Sequence, residues 1–404
     1  MRHAELIGAI LPTEKQSSKP MKTTHAYIKI GLLSLAAVIF TAASAAAAGM
    51  PGPSQFYAQH NIVSDVPGLA DHTDSNVVNA WGLDSGPTSP WWFSDNGTGK
   101  TTLFNIANDV IQATFTVPGA GGAQGNPTGL VFNGGTGFIV NNGGVGSPSA
   151  ARFIFSSEDG TISAFRGAPI VTVVPNANAQ AHGAIYKGLA IDSRTAGQFL
   201  YATDFHNGKV DVFDSSFDLV TLSGNFTDPN LPAGFAPFGI QNINGTLYVT
   251  YALQDEDAED DVAGPGNGFV DAYDLEGNFI QRVASAGELN SPWGLALAPE
   301  GFGRFSGDLL VGNFGNGRIH AFDPNSLTPA GEFEAVGLMH SSGGRRHRGR
   351  PIQIDGLWAL QFGHGTNAVG ANGLTTTLFF TAGPSGEDHG LFGSIVLTQP
   401  PGRQ

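Results

Sequence analysis

The chain has no cysteine among its 404 residues. Disulfides, thiol chemistry and a lipid carried on an N-terminal cysteine are therefore closed to it. Charge is scarce: Asp, Glu, Lys and Arg make up 13% of the residues, about half the usual share. What charge there is leans acidic, with a net −15 at pH 7, and this excludes nucleic acid because nothing offsets phosphate repulsion. Beyond residue 48 no long hydrophobic run occurs, and no stretch keeps a helical apolar period apart from a turn or two near Asn176–Lys187. Hydrolytic motifs are missing too. There is no H-E-x-x-H and no G-x-S-x-G, since Gly383-Pro384-Ser385-Gly386 lacks the spacing. The histidines are scattered, and a pair such as His347 and His364 has no zinc-site spacing.

Glycine, in contrast, is abundant: 57 residues, about double the usual frequency, beside a hydrophobic share of 41% that suffices for a core. The glycines recur in phase. Trp81-Gly82-Leu83, Thr128-Gly129-Leu130, Lys187-Gly188-Leu189, Phe238-Gly239-Ile240 and Trp293-Gly294-Leu295 repeat one phrase, and Asp355-Gly356-Leu357 fills the sixth place. The intervals of 47, 59, 51, 55 and 62 residues are those of β-propeller blades, roughly 40–50 residues each, lengthened by inserted loops. A second hydrophobic strand follows each phrase, then a third ending in an aromatic, as in Gly208-Lys209-Val210-Asp211-Val212-Phe213. Glycine falls where innermost strands crowd the axis, and the aliphatic residue after it points between blades. Asn-Gly pairs at Asn96, Asn207, Asn244, Asn267 and Asn316 predict two-residue hairpin turns. The fold class is all-β, a six-bladed β-propeller. Its last repeat stops at a third strand, Leu391–Thr398, so the strand-like segment Gln55–Ser64 is expected to supply the fourth and close the ring.

The N-terminus reads as an export signal. Lys22 and Lys29 precede an apolar run from Ile30 to Phe40, and Ala46-Ala47-Ala48 before Gly49 fits a cleavage site, as does Ala43-Ser44-Ala45. The run is short for a membrane span. Residues 1–48 are thus a polar extension and signal peptide, and 49–404 a single propeller domain. The expected location is secreted or periplasmic, with no membrane insertion after cleavage.

The stretch from Phe56-Tyr57-Ala58-Gln59-His60 through Asn79-Ala80-Trp81-Gly82-Leu83 to Trp92-Phe93-Ser94-Asp95-Asn96-Gly97 resembles an uncharacterised family of secreted bacterial six-bladed β-propellers. So do Gly264-Pro265-Gly266-Asn267-Gly268 and Ser291-Pro292-Trp293-Gly294. That family is similar to NHL-repeat proteins, and some of its members carry PEP-CTERM tails. The resemblance implies the fold and export but no established activity. The sorting tail is missing here, and Ala80 stands where the family tends to have proline.

Four polar features invite chemistry. Asp255, Glu256, Asp257, Glu259, Asp260 and Asp261 crowd seven residues of the fourth repeat, and Ca²⁺ would relieve their repulsion. Asp255, Asp257, Glu259, Asp260 and Asp261 are the candidate metal ligands, against a solvated acidic loop. Gly99-Lys100-Thr101 imitates a P-loop, but residue 94 is Ser and the register makes it a hairpin turn. The basic run Gly343–Arg350 suits an anionic sugar, a phosphate or an acidic partner, against a plain inserted loop. By register the channel mouth collects Asn79, Asn126, Lys187, Asn290 and Asp355, with Trp81 and Trp293 nearby. The function expected is an exported binding or scaffold module for a protein, peptide or carbohydrate, with a structural divalent cation as an addition. The enzyme alternative is a Ca²⁺-dependent esterase or lactonase with Asp355, Asn79 and Asn126 on the metal.

Overall fold

Each bulky–Gly–aliphatic phrase becomes the first strand of an antiparallel sheet whose strands lie in chain order. In the computed structural model the first blade is Ala80–Asp84, Trp91–Asp95, Lys100–Asn105 and Val110–Thr116. The second is Pro127–Phe132, Phe153–Ser157, Ile162–Phe165 and Val171–Val174, and the third Tyr186–Asp192, Phe199–Asp204, Lys209–Asp214 and Leu219–Val220. The fourth is Phe235–Ile243, Thr246–Leu253, Phe269–Tyr273 and Phe279–Ser285, and the fifth Pro292–Leu297, Leu309–Asn313, Ile319–Leu327 and Phe333–Leu338. The sixth has Leu357–Phe362, Leu378–Ala382 and Leu391–Thr398. Residues 55–141, 146–175, 183–192, 197–341, 349–365 and 370–398 are described. The segment read as a signal peptide, residues 176–182 and most of the basic run fall outside them. Among the described residues, helix is limited to three 3₁₀ turns.

The ring closes as the sequence predicts. Phe56–Ser64 is the fourth strand of the last blade, antiparallel to Leu391–Thr398 with Phe56 opposite Thr398 and Ser64 opposite Leu391. Buried Tyr57 donates its hydroxyl to the Phe302 carbonyl at 2.9 Å, and Ser64 Oγ donates to the Gly390 carbonyl at 2.7 Å. The outer edge is covered in turn, by Ser341 beside Tyr57 and His72–Thr73 beside Val63–Ser64. The strand most exposed to edge-to-edge pairing is thereby shielded.

The phase glycines set the spacing of the blades. A methyl group built on Gly188 would lie 2.9 Å from the Phe238 carbonyl oxygen of the next blade. On Gly82, Gly129, Gly239 and Gly294 it would come closer still to Thr128, Leu189, Trp293 and Trp358. The last contact corrects the sixth phrase. Its first-strand cognate is Trp358-Ala359-Leu360, three residues beyond the one read from the sequence. Gly356 has a different duty: its φ of +63° matches Asn79 at +49° and Ser291 at +45°, each two residues before the bulky position. Asp355 consequently leaves the register that placed it at the mouth.

The turns also differ from expectation. Asn244-Gly245 forms the expected two-residue hairpin, both residues at positive φ between paired Ile243 and Thr246. In the first and third blades the second and third strands are joined by four residues, Asn96–Gly99 and Phe205–Gly208, with only the closing glycine left-handed. This longer turn leaves its first residue free to project over the axis.

Gly239→Ala should destabilise the ring by roughly 1–3 kcal/mol, the usual cost of overpacking, in urea unfolding. Ala359→Gly should cost about 1 kcal/mol or less. Equal effects would show that the inner strands are not in the contact described.

Candidate functional site: the axial mouth

The residue before each phase glycine turns toward the axis, where aromatic rings from five blades meet. Trp81 stacks on Trp358 with centroids 3.6 Å apart, and Phe314 stacks on Trp358 at 4.0 Å. Trp293 meets both indoles edge-on at 6.4 and 5.9 Å. Phe238 lies 5.8 Å from Trp358, with Phe205 at 5.2 Å from Phe238. Beneath this plug a cavity of about 20 Å³ lies among Leu83, Leu130, Leu189, Ile240, Leu295 and Leu360, room for about one water. The aliphatic residues thus line the axis as well as packing between blades.

Above the plug a polar chain crosses the mouth. Lys187, its side chain 2% exposed, donates to Glu158 Oε1 at 2.6 Å and to Asp260 Oδ1 at 3.0 Å, and its Nζ stands 5.3 Å from the Trp81 ring centre. Asn96 Nδ2 donates to Glu158 Oε2 at 2.9 Å. Asn79 Nδ2 donates to Glu387 Oε2 at 2.6 Å and, more weakly, to Asn96 Oδ1 at 3.4 Å. Asn79 Oδ1 accepts the Trp358 indole N–H at 2.9 Å, which ties the chain to the plug. Burial acts to lower the Lys187 pKa, but Glu158 and Asp260 more than offset it, so the ammonium stays charged with its pKa raised. Burial pushes the Glu387 carboxyl up, Asn79 acting the other way and Glu158 adding repulsion. Burial likewise raises Asp261, whose Oδ2 has no hydrogen-bond partner.

The structure brings together Asn79, Trp81, Lys187 and Trp293 of the residues read from the sequence, and it sends the others elsewhere. Asp355 is exposed on the rim and accepts the Ser385 N–H at 2.8 Å. Asn126 is exposed and lends its backbone carbonyl to Glu158 N–H. Asn290 is buried and accepts the Gly264 N–H at 2.7 Å, anchoring the end of the acidic loop. The lactonase ligand set Asp355, Asn79 and Asn126 is therefore divided among separate duties. Missed were Asn96, Glu158, Phe205 and Phe314, each the first residue after a second strand, together with Trp358 and Glu387. That shared position is the signal which would have found the first four.

The acidic loop is spent on folding over the mouth. Asp255 Oδ1 accepts the Glu259 N–H at 3.0 Å, and the Asp255 N–H donates to the Asp260 carbonyl. Asp260 points to Lys187, Asp261 is turned inward, and Glu256, Asp257 and Glu259 face solvent. Among the described residues no three His, Asp or Glu side chains are grouped as a cation's ligands would be.

Two tests follow from this electrostatics. Lys187→Met should cost roughly 3 kcal/mol at pH 7, because it strands a partly buried carboxylate, and adding Glu158→Gln should restore part of the loss in urea unfolding. Asp95, fully buried just before Asn96, accepts a bond from Thr102 Oγ1 at 2.6 Å. Burial raises its pKa well above the usual range, Thr102 opposing. A raised carboxyl stabilises the fold below its unfolded pKa, about 4, and loses that contribution as pH climbs through the folded value. The melting temperature of the wild type relative to Asp95→Asn should accordingly fall as pH rises from about 4 to about 8. A constant difference would count against the shift.

No family model matches the chain. It is similar to two proteins of Acanthamoeba polyphaga mimivirus. "Uncharacterized protein R648" is 32% identical over 346 residues, covering 84% of this chain and 80% of that one. "Uncharacterized protein L690" is 30% identical over 351 residues, covering 84% and 85%. Among solved structures, a Penicillium chrysogenum α-L-arabinanase complexed with arabinobiose superposes with a TM-score of 0.52 over 85% of this chain and 98% of that chain, at 12% identity. That likeness is one of fold alone. By sequence, the chain belongs to the same family as the two mimivirus proteins.

Proposed function

We propose that the protein is an exported binding module that recognises a cationic, donor-rich ligand on the axial mouth. One observation carries the reading: an acceptor-rich ring stands on a stacked aromatic plug. Among the described residues of the mouth, Glu158, Asp260, Asp261 and Glu387 outnumber Lys187, and the acidic loop adds the exposed carboxylates of Glu256, Asp257 and Glu259. A ligand cannot pass down the axis and must dock across the ring, where amines and guanidinium groups find charge-assisted acceptors. Catalysis is disfavoured by the same features. Lys187 is held protonated and serves no base role, and Glu158, Asp260 and Glu387 are engaged by Lys187, Asn96 and Asn79. Export rests on the charged and apolar pattern of residues 22–48 and on the resemblance to secreted bacterial propellers. No helix among the described residues is long and apolar enough to cross a membrane.

Titration with spermine and with a short oligo-arginine peptide, followed by tryptophan fluorescence, tests the reading. Saturable binding is expected, weakened about tenfold by Asp260→Asn or Glu387→Gln, the usual scale for one charge-assisted bond. Binding that ignores both substitutions, or its absence at millimolar ligand, would overturn it. Edman sequencing of the exported protein should start at Gly49 or Ala46.

A further inference from the structure

A cleft of about 680 Å³ opens between the first two blades. It lies where their first strands finish, at loops Gly86–Pro90 and Asn133–Gly135, and hence at the opposite end from the mouth. Two cross-strand rows face each other there. Leu103 pairs with Trp92 in the first blade, and Phe132, Phe153 and Phe165 lie in register across the second. Trp92 stacks on Phe153 at 4.3 Å and meets Phe165 at 4.7 Å. Trp92 and Phe153 are almost wholly buried and form the floor, while half-buried Phe132 and Phe165 offer ring surface.

Arg152 is the single charged residue lining this cleft. It is exposed and pairs with no carboxylate among the described residues. In a chain of net charge −15, a cation left without a counter-ion beside aromatic walls is a local reversal of the field. Clefts of roughly 300–1,000 Å³ suit small organic ligands, and a guanidinium takes a carboxylate through two parallel hydrogen bonds. We propose that this cleft binds a flat aromatic carboxylate, its rings against Phe132 and Phe165 and its acid group on Arg152. The site is independent of the axial mouth and of opposite charge preference.

The test uses the whole protein and 2-naphthoate, followed by calorimetry and saturation-transfer NMR. One saturable site is expected, with 2-naphthylmethylammonium binding at least about tenfold more weakly, the scale of a charge-assisted pair. Arg152→Gln should weaken naphthoate about tenfold and Arg152→Lys should restore part of it. Thr88→Trp, on an exposed loop at the rim, should block the cleft. Asp355→Asn, on the exposed rim at the other end, should leave naphthoate binding unchanged. No saturable binding up to millimolar naphthoate, equal affinity in Arg152→Gln, or equal affinity for the ammonium analogue would each overturn the proposal.

Discussion

The inner strands touch backbone to backbone, and most of the molecule's chemistry follows from that contact. Where a Cβ would strike the next blade, as at Gly188 against Phe238, only glycine lets the strands converge. Side chains alternate along a strand, so the residue ahead of each glycine is driven toward the axis. In the six first strands these residues are Trp81, Thr128, Lys187, Phe238, Trp293 and Trp358. A space shared by six inward positions must be filled or left as a void, and three indoles and a phenyl ring fill it. Thr128 satisfies its hydroxyl on the Tyr186 carbonyl at 2.7 Å.

Lys187 is the exception that creates a site. Its place in the ring buries it, and a buried ammonium is tolerable only when paired and fully hydrogen-bonded. Two neighbours meet that demand from opposite sides: Glu158 from the second blade's turn, and Asp260 from the long insertion of the fourth. The insertion thus has a structural purpose that its charge density alone does not reveal. Its acidic residues resemble a cation site when read along the chain. In space the loop turns one carboxylate to Lys187, another inward and a third onto its own backbone, so the crowding in sequence is dispersed in the fold.

Local period made the fold legible, whereas the site depended on contacts between blades. Phase glycines, strand-ending aromatics and the shortage of a fourth strand in the last repeat were enough to place Phe56–Ser64 beside Leu391–Thr398. The sixth phrase misled because Gly356 is a glycine for a different reason, its left-handed φ, while the true cognate position tolerates Ala359. That slip of three residues carried Asp355 into the mouth and left Trp358 out of it. Glu387 was illegible because its turn, Gly383 to His389, has no counterpart in the other blades. Asn244-Gly245 obeyed the hairpin rule since its strands pair right up to the turn. Asn96-Gly97 and Asn207-Gly208 did not, since the propeller needs a wider turn at the mouth to project Asn96 and Phe205 over the axis.

The plug also separates the two ends of the ring for solvent and for ligands. Below it a cavity of about 20 Å³ lies among aliphatic side chains, room for about one water and not for a column of them. The two ends differ in polarity: acceptors and carboxylates at the mouth, and at the cleft the Arg152 guanidinium, which pairs with no carboxylate among the described residues. A ligand at one end gains no differential contact at the other, and without such a difference there is no coupling free energy between the sites. The two proposed sites would therefore act independently on one closed frame.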